Sequence, residues 1–109
     1  MNEVEKLAEI FKALSDPTRL SVVKLLNERI SNEDLPDECG GGPLCVNALA
    51  NRLGVTQSAV SQHLRILKQA GLVRGERCGS FIHYSLDSEG LAHLKAILAD
   101  TLGNDFDLS

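Results

Sequence analysis

Apolar residues recur along this chain with two distinct periods. Across residues 2–14, Val4, Leu7, Ala8, Phe11 and Leu14 fall at helical spacing and predict a first helix with that stripe inward. SDPTRL then restarts the chain. Ser15 or Asp16 can cap a second helix, and Pro17 suits its first turn, where a missing N–H costs nothing. That helix is expected to reach about Glu28, with Leu20, Val23, Leu25 and Leu26 inward. VNALANRL (46–53) predicts a short third helix with Val46, Leu49 and Leu53 inward and Gly54 as a left-handed stop. The strongest pattern is Thr56–Ala70, with Thr56 or Ser58 as cap. On a helical wheel Leu64 and Leu67 fall within about 40° of Val60.

After Gly71 the period shortens to two. Leu72–Arg77 and Phe81–Leu86 read as the strands of a hairpin. Ile82, Tyr84 and Leu86 face one way, and Phe81, His83 and Ser85 the other. Cys78, Gly79 and Ser80 form the tip, with Gly79 supplying a positive φ. Asp87 or Ser88 can cap a last helix over 88–102, with Leu91, Leu94, Leu98 and Leu102 as its main stripe and Ile97 beside it. The expected fold is mainly α with one small β-hairpin, in the order four helices, two strands, one helix. A helix, a Gly-containing turn, a longer amphipathic helix and a hairpin together make a winged helix-turn-helix.

Residues 30–44, ISNEDLPDECGGGPL, carry four acids, two prolines and three consecutive glycines, with no packing period. A loop this long in a small domain is often functional. The polar run 104–109 reads as a tail, so residues 1–103 form one domain.

Composition narrows the function. With 109 residues and four aromatics, one core must be built largely from Leu, Ile, Val and Ala. No apolar run is long enough to span a membrane. The N-terminal MNEVEKLAEIF lacks a basic region followed by an apolar one, so the expected location is the cytoplasm. Three cysteines argue against a closed disulfide framework. There is no nucleophile–base–acid set. Gly40–Gly42 precede no Lys-Ser/Thr and follow no strand, so they are not a nucleotide loop, and an enzyme is not expected.

Net charge is −4, but its distribution matters more than its sum. Residues 43–86 carry Arg52, Arg65, Lys68, Arg74 and Arg77 against Glu76 alone, between two acidic ends. Such a basic block is the footprint of a polyanion-binding surface. On Thr56–Ala70 the face opposite the leucines presents Ser58, Ser61, Gln62, Arg65, Lys68 and Gln69, with no carboxylate, and Gln57 is a further candidate DNA contact. An ordinary solvated face would mix acids with bases. Gln62 and Arg65 suit base edges, and the serines suit phosphates. Arg74 and Arg77 flank the hairpin as candidate phosphate contacts, against the alternative of ordinary strand solubility. His63 lies toward the apolar side and is either a packed residue or a reader of bases. His83 and His93 have no partner at metal-binding spacing. The acidic ends keep a second class open: a winged helix that binds protein and not DNA.

ALSDPTRLSVVKLL (13–26), LCVNALANRLGVTQSAVSQHLRILKQAGLV (44–73) and RGERCGSFIHYSL (74–86) closely resemble the ArsR/SmtB family of winged-helix metalloregulators. The resemblance implies a homodimeric repressor, paired through its first and last helices, that binds a pseudo-palindromic double-stranded DNA operator and releases it when an effector binds. It places Ser58, Ser61, Gln62, His63 and Arg65 in the recognition helix. Members that sense thiophilic ions carry Cys-Val-Cys opening the third helix. Here Cys45 matches the first cysteine and Asn47 replaces the second. The ligands of the family's last-helix metal site are absent from Ser88–Gly90 and Thr101–Asn104.

Cys39 and Cys45 remain, joined by GGGPL. Two thiolates can begin a site for As(III), Cd(II) or another soft ion. Two thiols can also close reversibly into a disulfide or polysulfide. The alternatives are a small buried hydrophobe at Cys45, an idle thiol at Cys39, and a repressor with no metal site. Cys78, at the hairpin tip, is a third thiol that joins them only if the dimer brings it near.

Overall fold

The computed structural model describes residues 2–31 and 45–103. Helix α1 spans Glu3–Leu14, α2 Pro17–Ser31, α3 Val46–Leu53, α4 Gln57–Gln69 and α5 Ser88–Leu102. Strands β1 (Val73–Cys78) and β2 (Phe81–Leu86) precede α5. The element order is the one the periodicity predicts. Most of the 30–44 loop, and the 104–109 tail, lie outside the described residues. α2 continues through Ser31, into the first two residues of the stretch expected to be a loop.

Local chemistry sets the helix ends. Asn2 accepts the Glu5 N–H at 2.8 Å and starts α1. Asp16, not Ser15, starts α2, its Oδ1 accepting from Thr18 N (2.8 Å) and Arg19 N (3.2 Å). Ser15 instead closes α1, donating its hydroxyl to the Lys12 carbonyl. Thr56 accepts from Ala59 N at 3.1 Å and starts α4. Asp87 accepts from Glu89 N and Gly90 N and starts α5. Gly54, at φ 68°, turns the chain sharply between α3 and α4, a left-handed conformation that a side chain would strain.

β1 and β2 pair antiparallel from Val73↔Leu86 to Cys78↔Phe81. Only Gly79 and Ser80 form the tip, since Cys78 belongs to the ladder and Leu72 does not. Gly79 alone of the two has positive φ, as in a two-residue turn with glycine first.

One core joins all five helices to the base of the hairpin. Leu7 and Ile10 of α1, Val22 and Leu26 of α2, Leu49 of α3 and Val60, Leu64 and Leu67 of α4 are buried. Leu72, Val73, and Leu94, Ile97 and Leu98 of α5 complete it. Each such side chain contributes about 1.5–3 kcal/mol by leaving water. Among the described residues every wholly buried side chain is apolar.

The structure corrects the expected core in three helices. In α1 the inward residues are Leu7, Ile10 and Ala13, with Leu14 half-buried. Val4 (67% exposed), Ala8 and Phe11 (48%) line a second, outer face. In α2 Val22 is buried and Leu20 exposed. In α5 Ile97 takes the core position expected of Leu102, which is 55% exposed. The cause is the same each time. A helix apolar over a wide arc offers two stripes, and periodicity does not say which one meets the rest of the fold. No helix among the described residues is long and apolar enough to cross a membrane.

Candidate nucleic-acid interface

The Thr56 cap and the Val60–Leu64–Leu67 stripe fix the start and roll of α4. They leave Ser58, Ser61, Gln62, Arg65, Lys68 and Gln69 exposed on one face, as the wheel predicts, and Gln57 is exposed too. Among the described residues Arg65, Lys68 and Arg77 make no ion pair and no side-chain hydrogen bond. Their charge is available to an external anion. Gln57 Nε2 donates to Asn47 Oδ1 at 3.0 Å, tying the first turn of α4 to the first turn of α3. Asn47 therefore has a role in joining the two helices. The partners lie ten residues apart, and no local pattern announces them.

The hairpin register separates its two arginines. Val73, Gly75 and Arg77 share a face with Leu86, Tyr84 and Ile82, while Arg74 and Glu76 share the other with Ser85 and His83. Tyr84 and Leu86 pack against the core, and Arg77 extends their face toward the tip. Arg74 lies on the opposite face and pairs with Glu76 at 2.6 Å. Both partners are exposed, and such a pair contributes at most about 1 kcal/mol.

His63 occupies the packed side of α4. It is half-buried, and its Nδ1 lies 3.2 Å from Nη1 of Arg19 in α2. Of the two alternatives for His63, this is the geometry of a packed residue. Arg19 also helps hold the carboxyl of Asp16 below its ordinary pKa. The largest cause is the hydrogen bond from the Arg19 backbone N–H, with smaller contributions from the Thr18 N–H and from the Arg19 charge.

Cys45 is 3% exposed and immediately precedes α3. It lines a groove of about 320 Å³ between the start of α3, the exposed face of α4 and the hairpin, with Asn47, Gln57, Ser61, Ile82 and Tyr84 among its walls. Cys39 lies outside the described residues. Cys78 ends β1 opposite Phe81. Among the described residues no three His, Cys, Asp or Glu side chains form a group able to hold a metal ion.

Comparison with known proteins agrees with this geometry. Residues 39–74 match the family model for bacterial regulatory proteins of the arsR family. An uncharacterised HTH-type transcriptional regulator of Methanocaldococcus jannaschii is 40% identical over 77% of this chain and 81% of its own length. A cadmium resistance transcriptional regulatory protein CadC homologue of Staphylococcus aureus is 34% identical over 81% of this chain and 63% of its own. The homodimeric winged helix-turn-helix DNA-binding domain of a possible ArsR-family regulator of Mycobacterium bovis superposes with a TM-score of 0.65. It is 27% identical, over 91% of this chain and 80% of that one. The acid-free face of α4, the hairpin beside it and these relationships lead to one conclusion: this chain belongs to the ArsR family of winged helix-turn-helix, DNA-binding transcriptional regulators.

Proposed function

We propose that the chain is a cytoplasmic, homodimeric transcriptional repressor. α4 of each protomer enters successive major grooves of a pseudo-palindromic operator, with half-sites about one helical turn apart. The observation that carries this is the exposed face of α4, where amides, hydroxyls and unpaired cations stand together without a carboxylate. Gln62 and Arg65 read base edges, Ser58 and Ser61 bind phosphates, and Lys68 and Arg77 add charge along the backbone. Val4, Ala8 and Phe11 on α1, with Leu102 on α5, supply an apolar surface that a second copy would cover. Titrating an operator fragment against salt tests the DNA reading. Affinity should fall steeply through counterion release. A partner that binds without salt dependence, and is a protein, would favour the interaction module instead.

The effector acts through the thiol of Cys45. Its place beside Asn47, whose side chain bonds Gln57, puts any chemistry at that thiol one contact from the reading helix. A soft ion such as As(III) or Cd(II) would take the thiolates of Cys39 and Cys45 as ligands. Oxidation of Cys39 and Cys45 to a disulfide would act at the same place. The relationship to a cadmium resistance regulator supports the ion. The test replaces Cys39 and Cys45 with serine and measures operator affinity with and without As(III), Cd(II) and a polysulfide. Loss of the response in both single variants supports a two-thiol site. An unchanged response would mean a repressor without one.

A further inference from the structure

A second long-range polar contact ties α4 to the rest of the fold. Arg19, in the first turns of α2, donates from Nε to the carbonyl oxygen of Ala13 near the end of α1, at 2.5 Å. Its Nη1 meets Nδ1 of His63, in the middle of α4, at 3.2 Å. A guanidinium only donates, so Nδ1 accepts in this contact. One side chain thus connects three helices across 44 residues of sequence.

Elsewhere α4 is held by the Gln57–Asn47 hydrogen bond at its first turn and by apolar burial. Val60, Leu64 and Leu67 hold its inner face by apolar burial, which fixes depth but has no directional preference. A hydrogen bond at mid-helix has direction, and a guanidinium fork keeps it because its donors are rigidly splayed. The other end of the fork is anchored on α1, the helix whose outer face carries the exposed Val4 and Phe11. Arg19 is half-buried and lies on α2, outside the exposed face of α4.

We propose that Arg19 is a positioning residue. It fixes the roll of α4 relative to α1, and so sets how far apart the two reading helices stand in the dimer. The proposal rests on the dimeric DNA-binding reading above. It assigns Arg19 an effect on spacing between half-sites and none on recognition of a single one.

The experiment uses the full chain and a duplex selected from a random-sequence pool by the wild-type protein. Binding is measured to that duplex, to a single half-site, and to duplexes whose half-site spacing is lengthened or shortened by single base pairs. Arg19→Lys carries a compact ammonium that reaches one acceptor at a time. It should leave dimerisation and single half-site affinity unchanged. It should lose about 5- to 50-fold of the wild-type preference for the selected spacing, the range expected of coupling between sites. His63→Leu should lose the same preference, and R19K should add nothing in the H63L background, because both act through one contact. If R19K does not fold, H63L carries the same expectation alone. Unchanged spacing preference in R19K would overturn the proposal. So would equal weakening on the single half-site and on every spacing, which marks a DNA contact or general loss of stability. Failure of the wild type to select any duplex would overturn the DNA-binding reading itself, and this proposal with it.

Discussion

Gly90, in the first turn of α5, lies directly against Gly71, where α4 gives way to β1. A methyl group on the Cα of Gly90 would stand 1.7 Å from the carbonyl oxygen of Gly71. The contact is backbone against side-chain position, so no rotamer change relieves it. Gly71 itself holds φ at +80°, and Asp87 N donates to the Leu72 carbonyl at 2.9 Å, so both sides of the corner are pinned. The hairpin and α5 are seated on the end of the reading helix through this approach.

Gly90→Ala should therefore destabilise the protein, although alanine in a helix normally gains about 1 kcal/mol over glycine. Overpacking against backbone should reverse that sign and cost about 1–3 kcal/mol net. Denaturant unfolding of wild type and G90A measures it. A variant as stable as wild type would show that α5 can shift away from the corner at little cost.

The two hairpin arginines should behave differently on DNA. Arg77→Ala should lower the slope of log affinity against log salt by about one phosphate contact. Arg74→Ala should leave that slope unchanged, because Arg74 faces the other side and pairs with Glu76. Arg65→Ala should instead cost about 1–3 kcal/mol on the selected sequence and relax specificity at one base position. Fluorescence anisotropy at several salt concentrations separates the three.

Phe11→Glu should convert the dimer to monomer with little effect on the fold, since Phe11 is half-exposed and outside the core. Sedimentation velocity reports the oligomeric state. Loss of the second reading head should weaken binding to the two-half-site duplex by about 100-fold or more. Single half-site affinity should persist.

Glu3 of α1 and Asp100 of α5 supply a pH dependence. Their carboxyls face each other, and hydrogen bonding to Asp100, then its charge, raise the Glu3 pKa above the ordinary value. The folded chain therefore holds a proton that the unfolded chain has already released. The resulting penalty develops as pH rises from the ordinary glutamate value through the raised one, and is fully present at neutral pH. Asp100→Asn removes the repulsion, and also removes an acid from the C-terminal turn of a helix, where it is unfavourable. The variant should melt higher than wild type at pH 7, with the difference shrinking as the solution is acidified through the Glu3 titration. A difference that does not change with pH would mean that the two carboxyls do not interact.

The sequence alone determined the elements, because each rests on short-range physics. Each of α2, α4 and α5 is preceded by side chains able to cap it, Gly54 and Gly79 take the positive φ their turns demand, and the Val60–Leu64–Leu67 stripe sets which face of α4 looks outward. Tertiary structure decided what depends on residues far apart in the chain. Which apolar stripe of α1 enters the core is chosen by the helices that pack on it, so Ile10 is buried while Phe11 is not. Strand register, not composition, places Arg74 and Arg77 on opposite faces of the hairpin. Asn47 meets Gln57, and Arg19 meets His63, only after the chain has folded. Hydrophobic period reports on neighbours three or four residues away, whereas a single long-range hydrogen bond leaves no periodic trace in the sequence.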